Sequence, residues 1–167
     1  ELSRAVNDGD ADRAIEVLQK ASGAAGSQVV WQVLPEPSAL KAALKATVLD
    51  HYTPYLKAAD PAEALRRFGH FRILCALRSG PYSVENLNRL VEQILAEAGL
   101  VDPSAAFYAG RPVLITRNDY NLRLFNGDIG VLLPDPQKGL RAYFAGPEQA
   151  VRDFLPLRLP AHETAYA

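Results

Sequence analysis

The chain lacks the sequence patterns of a disulfide, of a histidine or cysteine metal site and of a membrane span. Its 167 residues contain one cysteine, Cys75, which excludes an internal disulfide. The histidines, His51, His70 and His162, do not share the spacing of a metal site with one another or with Cys75. No apolar run approaches the roughly 18 residues of a membrane span, and no signal-peptide pattern opens the chain. We therefore expect a cytoplasmic protein.

An excess of positive charge is also missing. Lysine and arginine together number 18 against 19 aspartates and glutamates, which gives a formal net charge of −1. A free-standing nucleic-acid-binding domain is usually basic, so this composition speaks against one. The objection disappears if the nucleic acid lies in a cleft shared with other domains, because only a local patch must then be positive. The chain begins at Glu1 and contains no methionine, from which we expect a piece of a larger protein.

The motif that binds nucleotide phosphates in many hydrolases is absent as well. No GxxxxGK[ST] loop occurs, and no acidic pair is recognisable as its magnesium-holding partner. We therefore expect that this chain alone does not hydrolyse ATP. What is present in quantity is apolar residues, whose 49% share is enough for a substantial core.

The first half of the chain has the pattern of short helices separated by capping residues. Gly9 is predicted to end the first helix. The residues predicted to cap the others are Asp10, Ser38, Thr53, Asp60 and Ser83. Two β-prone runs interrupt the helices, QVVWQVL at 28–34 and the apolar run Phe71–Leu77. The second run is predicted to be a buried strand and, with the turn and helix that follow it, indicates an α/β layer.

Arg78 is the best single candidate for chemistry in this half. It stands at the carboxyl end of the predicted buried strand and is followed by a glycine-bearing turn. Open α/β sheets place their ligand-binding groups at that position. The alternative is a surface arginine that pairs with a nearby acid.

From Gly110 onward the pattern changes to short strands alternating with turns. We predict strands near 112–117, 127–133, 140–144 and 150–155, after a linker at Val101–Ala109. So many short strands in so short a stretch fit a small barrel. With the helical first half, they indicate an α+β fold.

The turn between the first two of these strands holds the most distinctive side chains. Its asparagines, aspartates and glycine accept left-handed backbone angles and bond their own main chain. Arg111, Arg117 and Arg123 are cationic groups that could contact a phosphate backbone. Tyr120 could stack on bases, whereas Phe125 is predicted to fill the barrel.

Three longer stretches carry a family resemblance. They are GRPVLITRNDYNLRLFNGDIGV from Gly110 to Val131, FRILCALRSGPYSVENLN from Phe71 to Asn88, and the tail LPLRLPAHETAYA. All three resemble RecD, the alpha-subunit family of bacterial exodeoxyribonuclease V within the superfamily 1 DNA helicases. The first stretch is similar to the opening of an SH3-like barrel inserted into the second motor domain. The tail is similar to the run that leads into a helicase motif contacting DNA and nucleotide.

The resemblance implies a division of the chain into three parts. Residues 1–109 would be the helical and α/β part of a truncated, RecA-like second motor domain, with about two strands. Residues 110–160 would be the SH3-like barrel, and residues 161–167 would return to the motor domain. Past Ala167 the resemblance predicts a motif with a short Thr/His–Lys–Gln–Gly-like run.

The resemblance also implies a function. The chain would be a fragment of an ATP-dependent DNA helicase subunit in a complex that repairs double-strand breaks. It would contribute to the single-stranded DNA track and to the nucleotide cleft. The full-length protein would use ATP and Mg²⁺ and would assemble with the beta and gamma subunits of exodeoxyribonuclease V. No cofactor and no metal site are expected in this fragment.

Site residues follow from the resemblance in the same way. Related helicases use an arginine of the second motor domain at the γ-phosphate, so Arg78 would contact nucleotide or DNA. The residues that would lie beside single-stranded DNA are Thr116, Arg117, Asn118, Tyr120 and Arg123. A structural turn is expected at Asn126, Gly127 and Asp128.

Two alternatives remain open at this point. One is a stand-alone RecD-like helicase or a relaxase-type helicase with a similar barrel segment. The other is a protein-interaction module in which the SH3-like barrel docks a peptide or a subunit through its loops.

Overall fold

The computed structural model describes residues 1–21, 29–147 and 150–167. Its α-helices are α1 (Leu2–Asn7), α2 (Ala11–Ala21), α3 (Leu40–Leu56), α4 (Pro61–Phe68) and α5 (Val84–Glu97). Its strands are β1 (Pro112–Ile115), β2 (Ile129–Asp135), β3 (Gly139–Ala145), β4 (Val151–Phe154) and β5 (His162–Thr164). A 3₁₀ helix at Pro156–Arg158 connects the last two strands. The chain therefore has an α+β fold, as the sequence predicts.

The chain divides into two compact units, Glu1–Glu36 and Pro37–Ala167. In the first unit, Gly9 has a φ of 71° between α1 and α2, and the Asp10 carboxylate accepts a hydrogen bond from the Arg13 amide at 3.0 Å. Both predicted helix boundaries are thus confirmed, because a left-handed glycine and an aspartate cap are what such a junction needs.

The strand predicted at 28–34 is wrong over the part that the structure describes. Residues 29–34 have no regular secondary structure, and Gln28 lies outside the described residues. Val33 is 93% exposed, and none of the described strands includes this run. β-prone residues form a strand only when another strand supplies hydrogen-bond partners, so their propensity alone does not make one.

Helix α3 differs from the prediction at both ends. Its N-cap is Ala39 without a side-chain hydrogen bond, so the cap predicted at Ser38 is wrong. The helix start predicted at Thr53 is also wrong, because α3 continues through Pro54. Tyr52 and Tyr55, on either side of this proline, are fully buried. Their burial outweighs the backbone hydrogen bond that proline cannot donate.

The caps of the next two helices are confirmed. The Asp60 carboxylate accepts a hydrogen bond from the Glu63 amide at 2.9 Å, with Pro61 in the first turn of α4. The Ser83 hydroxyl accepts one from the Asn86 amide at 3.2 Å and begins α5. Gly99, with a φ of 68°, follows the end of α5 as expected.

The buried strand predicted at Phe71–Leu77 is wrong, and with it the α/β layer. The segment has no strand, and it is only partly buried: Phe71 and Ile73 pack against the core, whereas Leu74 is 88% exposed and Leu77 is 56% exposed. Leu77 forms only an isolated parallel bridge with Ser83. A buried parallel strand needs partners on both sides, and every described strand belongs to a separate antiparallel sheet.

The strands form one antiparallel sheet in the order β4-β3-β2-β1-β5. Pro112 pairs with Val131 in β1–β2, and Gly130 pairs with Phe144 in β2–β3. The four strands predicted after residue 110 are all present near their predicted positions, and β5 is additional. Strands β4 and β5 lie at opposite edges, so the sheet is open, and closure into a barrel stays a prediction.

Two apolar clusters hold the second unit together. One joins the helices to the sheet and consists of Val48, Tyr52, Tyr55, Phe68, Val91, Ile94, Leu95, Val131 and Tyr166. The other lies on the sheet and consists of Val113, Ile115, Leu124, Leu132, Ala142 and Phe144. Helices and sheet therefore share a core, and the predicted division at residues 109 and 110 stays a prediction. No helix among the described residues is long and apolar enough to cross a membrane.

Candidate nucleic-acid interface

The connection between β1 and β2, residues 116–128, is a long loop with a fixed backbone, and we name it the 116–128 loop. Asp119 and Leu124 exchange two backbone hydrogen bonds, at 2.7 and 3.0 Å. The Asp119 carboxylate also accepts hydrogen bonds from the amides of Asn121 at 3.0 Å and Leu122 at 2.9 Å. Because four hydrogen bonds close this small ring of residues, the loop is a rigid platform.

A second set of hydrogen bonds fixes the base of the loop. The Asn118 side-chain oxygen accepts a hydrogen bond from the Asn126 amide at 2.8 Å, and the Asp128 carboxylate accepts one from the Phe125 amide at 2.8 Å. Gly127 has a φ of 98° and donates its amide to the carbonyl of Ile115 at 2.9 Å. Asn118 and Asp128 thus support the backbone of the loop through side-chain oxygens.

Arg152, on edge strand β4, also supports the loop. Its guanidinium donates hydrogen bonds to the carbonyls of Arg123, at 2.9 Å, and Leu122. It also lies 5.0 Å from the centre of the Phe154 ring. Arg123 itself has a φ of 51°, a left-handed conformation that is unfavourable for arginine. Sequence reasoning did not identify Arg152, because nothing in a linear pattern relates it to a turn some thirty positions earlier.

The outer side of the loop carries exposed cations and aromatic rings. Arg117 and Arg123 are exposed, and Tyr120 is 76% exposed. Phe125 is 43% exposed, so the prediction that it fills the interior is wrong. Leu124, 1% exposed, occupies that interior position instead, because the bridge between residues 119 and 124 points residue 124 inward. The rings of Tyr120 and Phe125 meet edge to face with centres 6.0 Å apart.

A shallow cavity of about 460 Å³ adjoins this surface. Arg123, Phe125 and Arg152 line it, together with Asp128 and the turn at 145–147. Two arginines face one aspartate, whose carboxylate already accepts the amide of Phe125. The lining therefore combines an excess of positive charge with an aromatic ring, which suits a phosphate beside a base.

Thr116 stands at the start of the loop and is exposed. Its amide donates to the carbonyl of Ala161 at 2.8 Å, which joins the loop to the segment before β5. Contact with DNA by Thr116, Arg117, Asn118, Tyr120 and Arg123 stays a prediction. So does the purely structural role expected of Asn126, Gly127 and Asp128.

Arg78 lies elsewhere, on the turn that precedes α5. Its side chain is 84% exposed, and a guanidinium nitrogen lies 3.7 Å from a carboxylate oxygen of Glu163 on β5. Exposed pairs at this distance contribute little to stability, so the guanidinium is available to another anion. Arg78 is not at the end of a sheet strand, and its nucleotide or DNA contact stays a prediction.

The described residues offer no metal centre. No group of three or more histidine, cysteine, aspartate or glutamate side chains in that part of the chain is arranged to hold an ion. His51 stacks on Phe71 with ring centres 4.3 Å apart, and burial raises the pKa of the Cys75 thiol. Arg78 fits a phosphate oxygen by charge, but its surroundings supply no carboxylate set for Mg²⁺.

A rigid antiparallel sheet that presents arginines and aromatic rings on an exposed loop is a surface typical of single-stranded nucleic-acid-binding proteins. No protein-family model matches the chain. It is 39% identical over 144 residues to the RecBCD enzyme subunit RecD of Mycolicibacterium smegmatis, covering 84% of this chain and 24% of that protein.

Two further RecD subunits give similar matches. For Mycobacterium tuberculosis (strain H37Rv) the identity is 39% over 148 residues, covering 87% of this chain and 24% of the relative. For Haemophilus influenzae the identity is 39% over 108 residues, covering 63% of this chain and 16% of the relative. The chain is homologous to RecD, and it spans about a quarter of the length of the first two relatives.

Proposed function

We propose that the chain is part of the second motor domain of a RecD-type DNA helicase subunit, with an SH3-like barrel inserted at 110–160. The observation that carries the proposal is the 116–128 loop. The chain is homologous to RecD, and in this loop a backbone held by hydrogen bonds presents exposed arginines and aromatic rings. A motor that moves along DNA must hold the strand without reading its sequence, and such side chains do this.

The loop grips DNA through two kinds of contact. Arg117 and Arg123 bind phosphates, and Tyr120 stacks on a base with Phe125 supporting it from the edge. The cavity lined by Arg123, Phe125 and Arg152 receives a phosphate next to the stacked base. Because phosphate contact and stacking tolerate any sequence, this surface suits a translocation track.

The segment 71–77 lies at a surface that other parts of the full-length motor cover. Two observations support this part of the proposal. Leu74 and Leu77 are exposed, although their residue type is normally buried, and none of the described strands pairs with the segment. Contact with the rest of the motor would bury both leucines and bring a nucleotide phosphate to Arg78.

The remaining functions belong to the complete protein. ATP and Mg²⁺ bind to its phosphate-binding loop, and this chain, which has none, is inactive alone. Single-stranded DNA is its substrate, and the beta and gamma subunits of exodeoxyribonuclease V are its partners. The names of the relatives, subunits of the RecBCD enzyme, support this assignment.

The direct test measures, by fluorescence anisotropy, the affinity of the chain for a labelled oligothymidine at several low salt concentrations. We expect weak binding whose logarithmic salt slope falls by about 0.7 for each phosphate contact that is removed. Arg117→Ala and Arg123→Ala should each reduce the slope, and Tyr120→Ala should weaken binding at unchanged slope. Arg89→Ala, on the exposed face of α5, is the matched control. Equal losses in all four variants, or no dependence on salt, would contradict the proposal.

A further inference from the structure

Residues 161–167, the return segment, are held by side chains where a strand would normally be held by other strands. Strand β5 pairs with β1 on one side, up to the bond from the Ala165 amide to the carbonyl of Pro112 at 3.1 Å. On its other side no strand follows it in the described sheet. Even so, every backbone polar group from the Thr164 carbonyl to the Ala167 amide has a hydrogen-bond partner.

Asn88 supplies half of these bonds. Its side-chain oxygen accepts hydrogen bonds from the amides of Tyr166 at 2.9 Å and Ala167 at 3.0 Å. Its side-chain nitrogen donates to the Thr164 carbonyl at 3.1 Å. Asn88 is 8% exposed, and a buried amide without hydrogen-bond partners would be unfavourable. The bonds to the return segment therefore satisfy the polar groups of Asn88 as well as those of the backbone.

Two other elements complete the grip. The Arg72 guanidinium donates to the Ala165 carbonyl at 3.3 Å, and the buried Tyr52 hydroxyl donates to the Tyr166 carbonyl. Arg72 lies six positions before Arg78, and Asn88 lies on α5, which begins six positions after Arg78. The chain on both sides of Arg78 is therefore bonded to the return segment.

The return segment is bonded equally firmly to the sheet. It pairs with β1, and β1 leads directly into the 116–128 loop. The side chain of Arg111, next to β1, also donates to the Thr164 hydroxyl at 3.1 Å. A continuous set of hydrogen bonds thus joins the turn that carries Arg78 to the loop that carries Arg117 and Arg123.

We propose that Asn88 is a positioning residue that fixes the Arg78 turn relative to the 116–128 loop by holding the return segment against α5. Asn88 contacts neither nucleotide nor DNA. It sets the distance and orientation between two groups that do, by binding the backbone amides of Tyr166 and Ala167. This consequence for DNA contact rests on the function proposed above, whereas the grip on the segment does not.

Amide hydrogen exchange on the chain tests the grip itself. Asn88→Ala should speed exchange of the Tyr166 and Ala167 amides by on the order of tenfold, because their acceptor is lost. Asn88→Asp keeps the acceptor of both amides but loses the donor to the Thr164 carbonyl, so both amides should exchange faster than in the wild type and more slowly than in Asn88→Ala. If the alanine variant does not fold, the aspartate variant still serves, because its two amides should exchange more slowly than those of an unfolded chain. Asn86→Ala, which removes a bond to the Pro81 carbonyl on the same helix, should leave both amides unchanged. Wild-type exchange rates in Asn88→Ala, or exchange in Asn88→Asp as fast as in an unfolded chain, would overturn the inference.

A double-mutant comparison of oligothymidine affinity tests whether Asn88 affects binding through Arg78. Arg78→Ala should weaken binding severalfold in the wild type and in Arg89→Ala, but much less in Asn88→Ala, where Arg78 is no longer held in place. An equal loss in all three backgrounds would show that Asn88 does not position Arg78. If the wild-type chain does not bind the oligonucleotide, the proposed function fails, and the exchange rates still decide whether Asn88 holds the segment.

Discussion

Replacing Arg123 by glycine should separate DNA binding from stability. Arg123 has a φ of 51°, and the left-handed conformation is unfavourable for an L-residue by roughly 1–2 kcal/mol. Glycine removes that strain but makes the unfolded chain more flexible, at about 0.5–1 kcal/mol. The side chain is exposed, and the backbone bond from Arg152 does not depend on it. We therefore expect the free energy of unfolding to be unchanged or raised by up to about 1 kcal/mol.

The same variant should bind single-stranded DNA more weakly, with a logarithmic salt slope reduced by about 0.7. Arg117→Gly is the matched control, because Arg117 lies on the same loop without a positive φ. It should lose DNA affinity to a similar degree and also lose about 0.4–1 kcal/mol of stability. Urea unfolding and fluorescence anisotropy measure the two quantities. Destabilisation of Arg123→Gly by more than about 1 kcal/mol would refute the left-handed conformation and the reasoning built on it.

Three further predictions concern the scaffold. Gly130→Ala should lower the unfolding free energy by about 1–3 kcal/mol, because the new Cβ would lie 2.6 Å from the Phe144 ring, whereas Gly69→Ala should be close to neutral in the same urea titration. Asp119→Ala removes the acceptor of two backbone amides and should lower the free energy of unfolding by about 1–2 kcal/mol. Asp119→Asn keeps an acceptor and should lower it by less, whereas equal losses in the two variants would count against the fixed loop. Burial raises the pKa of Tyr166 to about 12, above the value near 10 that a tyrosine has in an unfolded chain. The neutral Tyr166 side chain therefore stabilises the fold fully below pH 10, and this stabilisation is lost as the pH rises from 10 to 12. Urea midpoints measured across that range should fall more steeply than those of Tyr166→Phe.

Local signals in the sequence predicted those elements whose causes are local. The caps at Asp60 and Ser83 are decided within a few residues, and the structure has both. The strands after residue 110 were predictable because alternating apolar residues and turn residues specify antiparallel neighbours that follow one another in sequence. The segments at 29–34 and 71–77 depend instead on a distant partner, which a linear pattern does not reveal. Both were wrongly predicted as strands.

The candidate site was predictable to the same extent. The exposed arginines and the self-bonded turn could be inferred from residue types, since aspartate, asparagine and glycine favour such backbones. Which aromatic ring points inward was not predictable, because the bridge between residues 119 and 124 decides that Leu124 is buried and Phe125 is not. The roles of Arg152 and Asn88 were also not predictable, because each side chain bonds backbone groups that are far away in the sequence.

Photochemical cross-linking measures most directly whether the 116–128 loop contacts DNA. An oligothymidine carrying 5-iododeoxyuridine at single positions would be irradiated with the chain, and the modified peptide identified by mass spectrometry. Because this base reacts with an aromatic ring on which it stacks, we predict cross-links to Tyr120 or Phe125 at every labelled position. Cross-links found only on the helices between residues 37 and 97, with none on the loop, would contradict the account.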